Sequence, residues 1–86
     1  MEPEQIRDLI EQKLPNVNAT VKGDGSHFDA IVIGDCFAGQ SMLQQQKMVY
    51  AALNDKITSG ELHAISIKTY TPDQWEKAKQ FQVGGA

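Results

Sequence analysis

His63-Ala64-Ile65-Ser66-Ile67-Lys68-Thr69-Tyr70-Thr71-Pro72-Asp73-Gln74-Trp75 reads as a strand that runs straight into a helix. Alternation puts Ile65, Ile67 and Thr69 on one side of the strand, in line with a histidine at its mouth. The strand stops at a strong helix start. Thr71 can cap, Pro72 suits the first helical position because it has no N–H to satisfy, and Gln74 completes a capping box. The helix that follows carries Trp75, Ala78 and Gln82 along one side.

Upstream, Ser41 with Gln44 offers a second capping box, opening a helix that runs to about Asp55. Leu43, Gln46, Tyr50, Leu53 and Ile57 are read as its inward stripe, with Met42, Val49 and Ala52 beside it. Phe28 to Ile33 is apolar on both faces and so reads as a central strand. Val17, Ala19 and Val21 alternate with Asn18, Thr20 and Lys22, a half-buried strand. Gly23-Asp24-Gly25-Ser26 between them is turn chemistry, giving a hairpin with a somewhat long loop. Ile6, Leu9, Ile10, Lys13 and Leu14 follow helical spacing up to Pro15, which ends the first helix.

The order is therefore helix, strand, strand, helix, strand, helix, without internal repeats. An α/β (α+β) fold is expected, with a three-stranded mixed sheet covered by helices on one face. The helix between the second and third strands lets them run parallel as a right-handed crossover. With 86 residues the chain supports one domain, 1–86, in which 84–86 is read as a frayed tail.

Composition narrows the function. No apolar run approaches the ~20 residues that cross a bilayer, and Met1-Glu2-Pro3-Glu4-Gln5 is acidic where a secretory signal is basic and then apolar. One cysteine makes no internal disulfide, which fits a reducing, cytoplasmic setting. A net charge of -3 argues against a general phosphate-binding surface. Lys47, Lys56, Lys68, Lys77 and Lys79 are scattered among acids without interleaved aromatics, and no Gly-x-x-Gly clamp joins two helices. Neither a Gly-x-Ser-x-Gly elbow nor a His-Glu-x-x-His run occurs, and Gly34 to Gly39 lacks the Lys-Ser/Thr of a phosphate loop. The chain is not expected to be an enzyme.

The chemistry that remains lies in two histidines, each opening a strand. If the second and third strands are parallel neighbours, His27 and His63 start at the same edge, and both imidazoles can face one site. Cys36 follows the second strand while His27 precedes it, so about six residues at ~3.3 Å each separate them by roughly 20 Å. A Cys36–His27 pair is excluded. A zinc site of the two histidines with Asp24 stays open, as does the plainer reading of two histidines without a ligand.

Gly23-Asp24-Gly25-Ser26-His27-Phe28, the stretch Phe37-Ala38-Gly39…Leu43…Lys47-Met48-Val49-Tyr50, and the His63 to Trp75 segment together resemble the BolA family, in particular its IbaG-like (YrbA) bacterial branch. The resemblance spans the whole domain and implies a class II KH-like fold. It also implies a non-enzymatic partner of a monothiol (CGFS-type) glutaredoxin, sharing a [2Fe-2S] cluster for iron–sulfur trafficking or iron and redox regulation. In that family the glutaredoxin supplies its cysteine and a bound glutathione, and the BolA-like protein supplies the histidine matching His63.

A second ligand comes from the loop between the first two strands. Several relatives carry a cysteine where this chain has Asp24, so the role passes to His27, flanked by Asp24, Gly25 and Ser26. No cluster is expected to stay on the protein alone. Apolar strand residues are expected to hold His63 still while the glycine-rich loop lets His27 move toward a partner. The family's Arg-His-Arg stretch reads Gln45-Gln46-Lys47 here, which weakens transfer of DNA or docking roles to that helix. The alternative that the family offers is a KH-like nucleic-acid-binding transcriptional regulator. A homodimer is also allowed.

Overall fold

The computed structural model describes residues 1–84, with side chains to Gln80. Helix α1 (Pro3–Lys13) leads into β1 (Val17–Gly23) and β2 (His27–Gly34). A 3-10 turn (Asp35–Phe37), helix α2 (Met42–Thr58), β3 (Ala64–Tyr70) and α3 (Pro72–Gly84) complete the order. The sheet runs β1-β2-β3, with β1 antiparallel and β3 parallel to the central β2. Three helices and a three-stranded mixed sheet are what the sequence predicts.

Local chemistry sets each boundary. Pro3 occupies the first position of α1, and the Glu2 N–H donates to Gln5 Oε1 at 2.7 Å. The helix stops at Leu14 before Pro15, and Asn16 turns the chain through a left-handed φ of 52° into β1. Ser41 Oγ accepts the Gln44 N–H at 3.1 Å to open α2. At α3 both halves of the capping box form: Gln74 N–H to Thr71 Oγ1 at 3.2 Å, and Thr71 N–H to Gln74 Oε1 at 2.9 Å. Gly84 closes α3; Gly85-Ala86 of the expected frayed tail lie outside the described residues, as does the Gln82 side chain.

The register decides which side chains share the core. Ala19 sits opposite Val32, and Val21 opposite Ala30. Phe28 pairs with Ile65, Ala30 with Ile67, and Val32 with Thr69. Onto this face α1 brings Ile6 and Ile10, and α2 brings Val49 and Leu53, all fully buried. Each such burial stabilises by about 1.5–3 kcal/mol. α1 and α2 thus cover this face of the sheet. Where β3 runs into α3, Trp75 packs on Tyr70 with ring centroids 5.3 Å apart.

The inward stripe expected on α2 is corrected. Its buried residues are Gln45, Val49, Ala52 and Leu53, whereas Leu43, Tyr50 and Ile57 are exposed. The cause is a buried amide. Gln45 Nε2 donates to the carbonyls of Phe37 (3.2 Å) and Gln40 (2.9 Å), and Gln45 Oε1 accepts the Thr69 hydroxyl at 2.7 Å. These bonds satisfy Gln45 and Thr69 inside the fold and fix the rotation of the helix.

Candidate functional site

In the parallel ladder His27 is the register partner of Ala64, the first residue of β3. His63 immediately precedes Ala64, so the two histidine backbones stand together at one edge of the sheet, on strands ~4.8 Å apart. Both residues are exposed.

His27 is held by the turn before it. Asp24 Oδ1 accepts three hydrogen bonds at 3.0 Å, from the N–H of Ser26, the hydroxyl of Ser26 and the N–H of His27. The Asp24 N–H in turn donates to the His27 carbonyl at 3.3 Å. The His27 N–H, then the Ser26 N–H and hydroxyl, lower the Asp24 carboxyl to about 2. Gly25 supplies the left-handed φ of +99° that closes the turn. Gly23 has a different reason: a Cβ there would collide with the Phe28 ring. Only Asp24–Ser26 lie between the strands, so the loop is shorter than expected. These bonds shape the turn that carries His27, whose side chain is exposed.

His63 is mounted otherwise. Gly60, at a φ of +83°, turns the chain out of α2. The Leu62 N–H returns to the Lys56 carbonyl at 3.0 Å, and the Leu62 side chain is only 2% exposed. Glu61 Oε2 accepts from the Ser59 hydroxyl at 2.9 Å and from Lys56 Nζ at 3.3 Å. The Ser59 hydroxyl, then Lys56, hold the Glu61 carboxyl below its usual range. His63 therefore sits between a buried leucine and the first ladder residue of β3.

The rings do not start from one phase. His27 lies on the face of Asp29, with Nε2 3.8 Å from Asp29 Oδ1. Alternation assigns Ala64, not His63, to that face. The structure brings the two backbones to one edge on opposite phases, and a shared ligand would need rotation of the two exposed side chains. Asp29 is a further neighbour of the site, and the i, i+2 rule along β2 is the sequence signal that finds it. At 3.8 Å it is a charge neighbour and not a hydrogen-bond partner.

Among the described residues no group of three or more His, Cys, Asp or Glu side chains is placed to hold a metal ion. The zinc site of two histidines with Asp24 is therefore not formed, and Asp24 instead anchors the turn. Cys36 lies in the 3-10 turn past the far end of the eight-residue β2, roughly 25 Å from His27. Burial, helped by the Asp35 charge, pushes its thiol pKa up. Of the Gln45-Gln46-Lys47 stretch, Gln45 serves the core and Gln46 Nε2 donates to the Ile67 carbonyl at 2.8 Å. No described helix is long and apolar enough to cross a membrane.

Comparison with known proteins fits this architecture. Residues 5–74 match the family model described as BolA-like protein. The chain is 38% identical over 80 residues to the acid stress protein IbaG of Escherichia coli K12, covering 93% of this chain and 95% of that one. An uncharacterized protein of Buchnera aphidicola is 39% identical over 80 residues, covering 93% of this chain and all of its own length. The structure of a bolA protein homologue from Coxiella burnetii superposes with a TM-score of 0.80 at 39% identity, covering 88% of this chain and 97% of that chain.

Proposed function

The chain belongs to the BolA-like protein family, and from that membership we propose that it partners a monothiol (CGFS-type) glutaredoxin. The two proteins share a [2Fe-2S] cluster as cargo, for iron–sulfur trafficking or iron and redox regulation. His63 is the principal ligand from this chain and His27 the second, with Asp24, Gly25 and Ser26 positioning His27. The glutaredoxin supplies its cysteine and a bound glutathione. The role is that of a ligand-sharing partner and not of a catalyst.

One observation carries this reading: the parallel register stands His27 opposite Ala64, with both histidines exposed at the same open edge. Two nitrogen donors do not complete an iron site, so the remaining donors come from a second molecule. Replacing thiolates by neutral imidazoles lowers the negative charge at the cluster and raises its potential. It also makes ligation acid-sensitive, because only the neutral ring binds metal. The Escherichia coli relative is named for acid stress, a setting in which such a ligand set responds.

Nucleic-acid binding has weaker support. The net charge is -3, and Gln45 and Gln46 are engaged within the fold. Mixing the protein with a cluster-loaded monothiol glutaredoxin tests the proposal. The expected product is a heterodimer whose visible absorption and circular dichroism differ from those of the glutaredoxin alone. His63→Ala abolishes the difference, His27→Ala weakens it, and Cys36→Ser leaves it nearly intact. An unchanged spectrum with both histidines replaced sinks the ligand assignment; sequence-selective duplex binding with a steep salt slope favours the regulator instead.

A further inference from the structure

The four exposed large hydrophobic side chains among the described residues all lie on α2: Met42, Leu43, Tyr50 and Ile57, at 65%, 63%, 40% and 36% exposure. Three of them fall seven residues apart, the spacing of a helix–helix seam. At 100° per residue, Leu43, Gln46, Tyr50, Asn54 and Ile57 share an arc of about 80°. That arc contains no charged residue. Its pattern reads the same in both directions from Tyr50: an amide four residues away on each side, an aliphatic side chain seven residues away on each side.

We propose that this stripe is the docking surface for a second copy of the chain, α2 against α2, antiparallel about a two-fold axis at Tyr50. A two-fold interface requires a patch complementary to itself. In this register Leu43 meets the partner's Ile57, Gln46 meets the partner's Asn54, and the two Tyr50 rings meet on the axis. The Gln46 amide is already oriented, because its Nε2 donates to the Ile67 carbonyl at 2.8 Å and its Oε1 is left to accept from the facing asparagine. An unrelated helix would need no such palindrome. The seam is about 21 Å long and ~10 Å wide. That footprint is roughly a quarter of the ~800 Å² per partner of a standard interface, so the dimer is weak and forms near millimolar concentration. Lys47 flanks the axis, and its two copies lie about 9 Å apart along the seam, so added salt strengthens the association.

Cysteine cross-linking in a Cys36→Ser background reads the register, with oxidised glutathione as oxidant. Tyr50→Cys links two chains, Leu43→Cys alone does not, and Leu43→Cys with Ile57→Cys in one chain does. Sedimentation of the unlinked protein at about millimolar concentration shows a weak dimer. Leu43→Asp abolishes it, and Asn54→Leu tightens it several-fold, a gain that a merely folded helix surface does not give. A monomer at that concentration together with an unlinked Tyr50→Cys overturns the proposal. So does cross-linking of Leu43→Cys as fast as Tyr50→Cys. Neither result depends on the cluster, so this inference and the glutaredoxin reading fail independently.

Discussion

The hairpin turn at Asp24–Ser26 and the crossover loop at Ser59–Leu62 each deliver a histidine to the same edge of the sheet, by opposite means. The turn is polar throughout, and one carboxylate gathers three hydrogen bonds. The crossover drives a leucine into the core and braces it with Glu61, Ser59 and Lys56. The difference follows from what each loop inherits. A turn between antiparallel strands receives its position from the ladder on both sides, so local hydrogen bonds suffice to shape it. A loop arriving from a helix has no ladder until Ala64, so burial must place it.

The contrast is broken most severely at Leu62. Leu62→Ala is expected to cost about 2–5 kcal/mol, measured by urea denaturation, because a nearly inaccessible side chain leaves a cavity. A cost below about 1 kcal/mol means that the crossover is held by its polar brace instead. On the hairpin side the largest effect is at Gly23. Gly23→Ala pushes a methyl into the Phe28 ring and is expected to cost about 1–3 kcal/mol. Gly25→Ala meets open space and carries only the left-handed φ, for about 1–2 kcal/mol. If Gly25→Ala proves the costlier of the two, the turn is controlled by its backbone twist and not by its packing on Phe28.

Much of this was legible in the residues. Alternation in Val17–Val21 and Ile65–Thr69 sets the strand faces, and the Ser41 cap and the Thr71/Gln74 capping box place the starts of α2 and α3 where they are observed; of the box expected at Ser41 only the half from Gln44 N–H to Ser41 Oγ forms. The placing of the His27 and His63 backbones at one edge follows from a helix joining two parallel strands. The rotation of α2 was not legible. Its apolar residues spread around much of the circumference, and the choice of face rests on Gln45 finding carbonyls from Phe37 and Gln40 and a hydroxyl from Thr69. Those partners lie in other elements, so periodicity within the helix cannot report them. The hydrogen bonding of the turn escaped for a related reason: its two glycines stand out in the sequence, whereas the convergence of three donors on Asp24 appears only once the turn is folded.

The finest distinction between the two loops is their response to acid. Asp24 has its carboxyl lowered from 3.8 to about 2 by bonds that form only in the folded turn. A depressed folded pKa means that its contribution is complete above the ordinary carboxylate range and fades as pH falls from about 4 toward about 2. The effect is small, because the group is fully exposed. Glu61 in the crossover is lowered as well, by Ser59 and Lys56, but there the buried Leu62 remains when the carboxylate is neutralised. Acid should therefore loosen the hairpin turn before it loosens the crossover. Carboxyl NMR titration is expected to place the Asp24 midpoint near 2, and amide exchange at His27 should rise over the same window while that at Leu62 stays low. Asp24→Asn keeps an oxygen acceptor but removes the charge, so it should flatten this acid response and weaken the turn slightly at neutral pH. An Asp24 midpoint at the ordinary carboxylate value, or equal exchange at the two sites, means that the turn is positioned by the flanking ladder alone and that its carboxylate adds nothing to the hold on His27.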